Sequence, residues 1–302
     1  MQYRHRAYGL QIESELELWP GADSSDQGEA QITVRISAAK VSRVRDDIAF
    51  ALGERDSALY WPGVGLLRAQ DGVHLDITPE SSADSDDVRL VAAGTGLAML
   101  LQQRGCTVLH GSCVYRDGVA QCIVGPSGRG KSTLAGALCQ RGHGLVSDGM
   151  TVVGFDERGI PKVFPGPRVM KLLPDSAGEL GWVTSQLHPI AANHEKLACP
   201  VLPSPADEYE LGRVVVLGCD DETRSGELSG SAATMELVRN FYLVDHIGKG
   251  SLASVLSESA RLATAVPVYL LRSRTSLSEL RAIVAEVVSE LPSLVVGTPR
   301  IE

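Results

Sequence analysis

Residues 125–132 read Gly125-Pro126-Ser127-Gly128-Arg129-Gly130-Lys131-Ser132, and no other stretch of the chain restricts the fold so tightly. The pattern G-x-x-x-x-G-K-S works only between a strand and a helix. Backbone N–H groups can wrap an anion where no side chain obstructs them, which glycine provides, and the following helix N-terminus adds a partial positive charge. The flanks agree with that context: 119–124 is a β-type run and 132–141 has helical spacing closed by Gly142. On this reading Gly125 through Thr133 bind a nucleotide. Lys131 reaches the β- and γ-phosphates of ATP, and the Ser132 hydroxyl ligates Mg2+.

The rest of the 302 residues divides by pattern. Residues 1–86 mix short alternating runs with polar breaks and are expected to form a strand-rich N-terminal portion. Residues 87–302 are expected to form the catalytic domain, giving an α/β fold with a P-loop kinase core. Within it, 88–103 has helical spacing interrupted by Gly94 and Gly96, and 107–115 and 119–124 are strands joined at the hairpin dipeptide Asp117-Gly118. A strand is expected over 145–153 and another at 214–217, with helices near 233–242 and 277–291. The segments 200–205 and 220–230 read as exposed loops.

A net charge of −9 argues against non-specific nucleic-acid binding while leaving room for a local basic pocket. The six cysteines never fall in a C-x-x-C pair, so neither a zinc site nor a redox motif is expected. No apolar signal core follows the first basic residues and no run is long enough to span a bilayer. A cytoplasmic protein that engages no membrane is the expectation.

Two residues flank the loop at suggestive distances: His110 in Val108-Leu109-His110-Gly111, and Asp148 after Arg141-Gly142-His143-Gly144-Leu145-Val146-Ser147. A carboxylate at the C-terminal end of a strand adjacent to the loop could accept a hydroxyl proton or help place Mg2+. His143 reads as a helix C-terminal cap. Together these elements resemble the catalytic domain of the HPr serine kinase/phosphorylase family over 108–153. The opening, with Ala7-Tyr8-Gly9-Leu10 and Glu13-Ser14-Glu15-Leu16, resembles the HPr-kinase-related kinases of lasso peptide clusters.

The resemblance implies phosphoryl transfer from ATP to a serine hydroxyl of a peptide or protein, in the lasso branch the C-terminal serine of a precursor. It gives Asp148 the general-base role and puts His110 near the phosphates. A homo-oligomer is compatible with it. The expected catalytic set is therefore Asp148, His110 and Lys131, with Ser132 and Asp148 as metal ligands. Arg168 and Lys196 are candidate clamps for phosphate or a substrate carboxylate. Arg274, or Arg272 beside it, is a candidate transition-state arginine near Pro267 and Val268.

The chain also departs from the family pattern. Paired aspartates become Asp148-Gly149, an acidic residue after the loop serine becomes Thr133, and the segment linked to phosphorolysis is absent. HPr is not the expected substrate, since the first hundred residues do not resemble the N-terminal domain of the full-length HPr enzyme; residues 1–86 are the candidate peptide-binding region. Two other functions stay open at this level: a nucleotide-binding regulatory module with slow ATP hydrolysis, and a kinase of a free amino acid.

Overall fold

The computed structural model describes residues 2–20, 28–191, 194–202, 204–218, 225–244 and 252–272, with the Arg272 side chain left out. It is a mixed α/β structure with several sheets and few helices. The first sheet has seven strands: β1 (Tyr3–Ala7), β2 (Leu10–Ser14), β3 (Ile32–Ile36), β4 (Ala49–Ala51), β5 (Asp56–Trp61), β6 (Gly65–Gln70) and β7 (His74–Pro79), in the order β1-β2-β3-β7-β6-β5-β4. One face is dry. In β6, Leu67 and Ala69 are buried while Leu66 and Arg68 are exposed, the period-two pattern of a half-covered sheet.

That dry face is covered by α1 (Ser85–Val91), a π-turn at Ala92–Gly96, and α2 (Leu97–Gln103). The helical spacing over 88–103 thus resolves into two α-helices around a π-bulge, beginning earlier, where Asp84 caps the Asp86 N–H. Gly96 explains the interruption. A Cβ there would lie 2.6 Å from Leu75 Cδ2, so the helix can approach the sheet this closely only without a side chain. Leu97 through Leu101 are all buried, because α2 is packed between the first sheet and the second, whose Val108 and Val152, with Met150 beside them, join the same core.

The second sheet holds β8 (Thr107–Leu109), β9 (Gly111–Arg116), β10 (Val119–Val124), β11 (Gly144–Ser147), β12 (Thr151–Phe155) and β13 (Pro161–Val163). After β14 (Val169–Leu172), β15 (His188–Pro189) and β16 (Leu197–Pro200), which form a separate three-stranded sheet, the chain returns to it with β17 (Tyr209–Gly218), β18 (Gly226–Leu228) and β19 (Val268–Arg272). The main path is β11-β9-β10-β17-β13-β12-β8. Ile123, Val215 and Leu217 face α3 (Lys131–Cys139) and α4 (Pro174–Glu179). Cys122, Val124, Val214 and Val216 face α5 (Gly230–Arg239) and α6 (Leu252–Ala265). Burial on both faces is why these strands read as continuous apolar runs.

Three sequence expectations are revised. The run 107–115 is two strands, because β8 pairs with β12 whereas β9 pairs with β10 and β11, and the chain changes partners at His110. The run 145–153 is likewise β11 and β12, interrupted at Asp148-Gly149-Met150. Within the expected loop 220–230, Gly226–Leu228 pairs with β19. The helix expected over 277–291 lies outside the described residues. The hairpin at Asp117-Gly118 forms with φ of 51° and 82°, the left-handed pair its tight turn requires.

Packing at the β9–β11 contact gives a stability prediction. Gly144 pairs with Tyr115, and a Cβ on Gly144 would lie 2.1 Å from Tyr115 Cε1. The ring cannot easily yield, since it stacks on Tyr209 at 4.3 Å. Gly144→Ala is expected to destabilise the fold by about 1–3 kcal/mol, seen as a lower urea midpoint at unchanged slope.

Candidate functional site

Strand directions bring the candidate residues to one edge. β9 runs antiparallel to both β10 and β11, so β10 and β11 run the same way and end where β9 begins. The loop 125–132 leaves β10, Asp148 leaves β11, and His110 immediately precedes β9. Asp148 therefore does not follow the neighbouring strand, as the sequence suggested, but the next one over, with β9 between.

All three line one cavity of about 260 Å3 together with Ser127 through Thr133, Lys171 and Lys196. Gly128 and Gly130 take φ of 78° and 82°, conformations that favour glycine, and nothing stands within 4 Å of where a Gly128 side chain would be. Gly130 caps α3 without a side-chain hydrogen bond, leaving the first N–H groups of the helix unclaimed by any capping side chain. Lys131 lies across the loop, 7% exposed, its Nζ donating to the Gly125 carbonyl at 2.8 Å and the Pro126 carbonyl at 3.0 Å.

Charge in the cavity is opposite to that of the chain. Arg129, Lys131, Lys171 and Lys196 face one carboxylate, Asp148. Burial, reinforced by Lys196, brings the Lys131 ammonium down to about 8, with Asp148 and Cys122 opposing the shift. Lys171 is lowered as well, by burial first and then by Lys196 and Arg89 against the pull of Asp148. His110 falls to about 4 because burial, and then Lys131, Lys196 and Lys171, disfavour its charged form. Its imidazole is therefore neutral at pH 7 and can offer one donor and one acceptor nitrogen.

Asp148 is held at both oxygens. Ser112 Oγ donates to Oδ1 at 2.6 Å, and the Lys171 backbone N–H donates to Oδ2 at 2.7 Å. Ser112 is fully buried and was not singled out from sequence, although a hydroxyl in an apolar strand needs a partner and thereby signals one. Gly149 has φ 82° and leaves room beside it, Lys171 Nζ lying 3.8 Å from where a Cβ would be. Beneath the site, Tyr8 from the β1–β2 turn is buried near Asp148, and burial raises its hydroxyl pKa strongly, with Tyr242 and Asp148 adding to it. The His110 and Tyr242 rings lie 5.9 Å apart.

Lys171 and Lys196 come from β14 and from the residue before β16, so the three-stranded sheet contributes to the cavity wall. Arg168 does not join them; it is exposed and lines neighbouring cavities. Arg274 lies outside the described residues. Thr133 is buried at the loop end and donates to Ser176 Oγ at 3.3 Å. His143 turns back on α3, its Nδ1 3.1 Å from the Leu138 carbonyl oxygen.

Because Ser112 supplies one of the two bonds that orient Asp148, Ser112→Ala is expected to destabilise the fold by about 1–3 kcal/mol. Scanning calorimetry of the variant beside wild type measures the loss.

No family model matches the chain, and no curated protein matches it. Among solved structures, the HPr(Ser) kinase/phosphatase from Coxiella burnetii is similar at 15% identity, covering 61% of this chain and 89% of that one, with a TM-score of 0.33. Among the described residues, no helix is long and apolar enough to cross a membrane.

Proposed function

We propose that this chain is an ATP- and Mg2+-dependent kinase that transfers the γ-phosphate to a serine hydroxyl of a peptide, the C-terminal serine of a lasso-type precursor being the acceptor that the sequence resemblance implies. One observation carries the reading: a glycine-lined loop, four cations and a doubly anchored carboxylate converge on a single cavity. Cations around an anion-wrapping loop suit a polyphosphate, and the lone carboxylate suits a proton acceptor among them.

In the proposed reaction the serine oxygen bonds to the γ-phosphorus, the bond from that phosphorus to the β–γ bridging oxygen breaks, and ADP leaves. The hydroxyl proton passes to Asp148. Lys131 gives up its bonds to the Gly125 and Pro126 carbonyls and turns to the phosphates. Neutral His110 contributes a hydrogen bond at the cavity wall, not a charge. Arg129, Lys171 and Lys196 balance the charge of the transferred group.

The donor set fits Mg2+. Among the described residues no three His, Cys, Asp or Glu cluster as a metal cage. Mg2+ characteristically takes one or two protein ligands and completes its shell with phosphate and water. Ser132 and Asp148 would hold it, and the ion would neutralise phosphate charge.

Intact-mass spectrometry tests the reading. The full chain with Mg2+, ATP and a serine-ended precursor peptide should add one phosphate, located by fragmentation on serine. ATP binding with no phosphate on any serine acceptor would favour the regulatory module. Phosphate on free serine in preference to the peptide would favour the amino-acid kinase.

A further inference from the structure

The turn between β1 and β2 breaks a local rule. Ala7 pairs with Leu10, so the loop is the two residues Tyr8 and Gly9, with φ of 56° and 75°. A two-residue hairpin loop of this kind favours Asn, Asp or Gly at its first position, because a bulky side chain resists the left-handed conformation. For the turn alone tyrosine is a poor choice. Its ring is also not at the surface, since Tyr8 is only 5% exposed. Such a conflict between local preference and the residue present is expected where the side chain has a task elsewhere.

The turn interlocks with the segment 164–166. A Cβ on Gly166 would stand 3.0 Å from Tyr8 Cε1 and 3.1 Å from Ser147 Cβ, so Gly166 is the spacer between the Tyr8 ring and the residue before Asp148. In return, the Phe164 ring lies over Gly9 and Gly154, 3.1 and 3.0 Å from where their Cβ atoms would be. Two backbone bonds continue the contact. The Tyr8 N–H donates to the Pro165 carbonyl at 2.7 Å, and the Gly166 N–H donates to the Val146 carbonyl at 2.8 Å.

These bonds reach β11 where its own pairing is interrupted. β11 is the edge strand of the second sheet, and its register with β9 shifts between Leu145 and Ser147, which leaves Val146 as a bulge. A bulge re-aims the residues beside it. Here Gly166 holds the bulged residue from the other side, and Tyr8 holds Pro165. The β1–β2 turn, the segment 165–166 and the bulge are thus successive layers, and Asp148 follows two residues after the last of them.

Resting on the kinase reading for the role of Asp148, we infer that Tyr8 is a positioning residue for the proton-accepting carboxylate. Its ring and N–H fix the segment 165–166, that segment fixes the bulge in β11, and the bulge sets where Asp148 points. The N-terminal strand-rich portion thereby contributes to the catalytic site through its first turn.

The test reads the carboxylate directly. The Lys171 N–H donates to Asp148 Oδ2, so its protection from hydrogen exchange, followed by NMR on the full chain with the β10 amides as reference, falls when Asp148 moves. Tyr8→Asn removes the ring while suiting the turn, and Gly166→Ala keeps the ring but presses on it and on Ser147. Each is expected to speed Lys171 exchange about tenfold relative to β10. Each should also slow single-turnover transfer to the serine-ended precursor peptide by about tenfold, with half-saturating ATP within about twofold of wild type. Tyr8→Phe, which restores the ring, is expected to recover both readouts. Unchanged Lys171 exchange in the two variants, an equal rise of exchange in β10, or losses in Tyr8→Phe as large as in Tyr8→Asn would each overturn the assignment. So would transfer at full rate by a variant whose Lys171 exchange is faster. Absence of transfer by the wild-type chain would remove the kinase reading alone, because the Lys171 amide still reports whether Tyr8 places Asp148.

Discussion

Asp148→Asn is expected to slow phosphoryl transfer by about 10²–10⁴, the usual worth of a general base, while leaving nucleotide affinity within a few-fold. The substitution is well suited to this geometry. The Lys171 N–H needs an acceptor, which the asparagine carbonyl oxygen can supply, and the Ser112 hydroxyl, now a donor to Oδ1, can rotate to accept from the amide. The Ser112 hydroxyl hydrogen gives up its carboxylate acceptor in doing so, and the fold is expected to lose about 1–3 kcal/mol of stability. What is lost is a group that can take the proton. Single-turnover rates at saturating ATP measure this, and a rate within about tenfold of wild type would exclude the base role. Titrating Mg2+ separates the second role: if Asp148 mainly places the metal, the half-saturating Mg2+ concentration rises and excess Mg2+ restores much of the rate. If it is the base, excess Mg2+ restores nothing.

How much of this site is legible in sequence depends on how local its causes are. The loop is legible because its constraint is steric and contiguous: glycines at 128 and 130 supply the positive φ that the turn needs, immediately before a helix. The Asp117-Gly118 hairpin is legible for the same reason. The break at Asp148-Gly149 carries the same turn dipeptide as that hairpin, whereas at His110 the strand changes partners with only His110 and Gly111 interrupting the run. Period-two patterning reports which face is buried and is silent on which neighbour pairs. Lys196 is a candidate in the sequence, whereas Lys171 reaches the cavity through a small sheet whose strands are joined over long connections, so its spacing from Lys131 carries no signal. Arg168, three residues before Lys171, reads from sequence as its equal, yet one lines the loop cavity and the other does not. Ser112 was hidden by its neighbours, one polar atom in a strand that otherwise reads as core.

The larger effect is expected at Lys131. Lys131→Met should abolish detectable transfer, a loss beyond the 10²–10³ typical of a single preorganised donor because this ammonium serves both binding and the transferred group. The pH dependence identifies the cause. An ammonium with its pKa near 8 carries its charge below that value and loses it above, so the affinity of the wild-type chain for ADP should be level through neutral pH and decline above about pH 8, by up to tenfold per pH unit. The ligand does not complicate the reading, since terminal phosphate ionisation is complete by then. His110, at about 4 in the free chain, adds nothing to the decline above pH 8. Lys171, lowered by its own burial, could add to the decline, and the variant isolates its share: with methionine at 131, whatever slope remains above pH 8 belongs to the other cations. Calorimetric titrations of both proteins from pH 6.5 to about 9.5 decide the matter. Identical slopes in the two proteins would mean that Lys131 does not meet the phosphates, and that the loop binds its anion through backbone N–H groups alone.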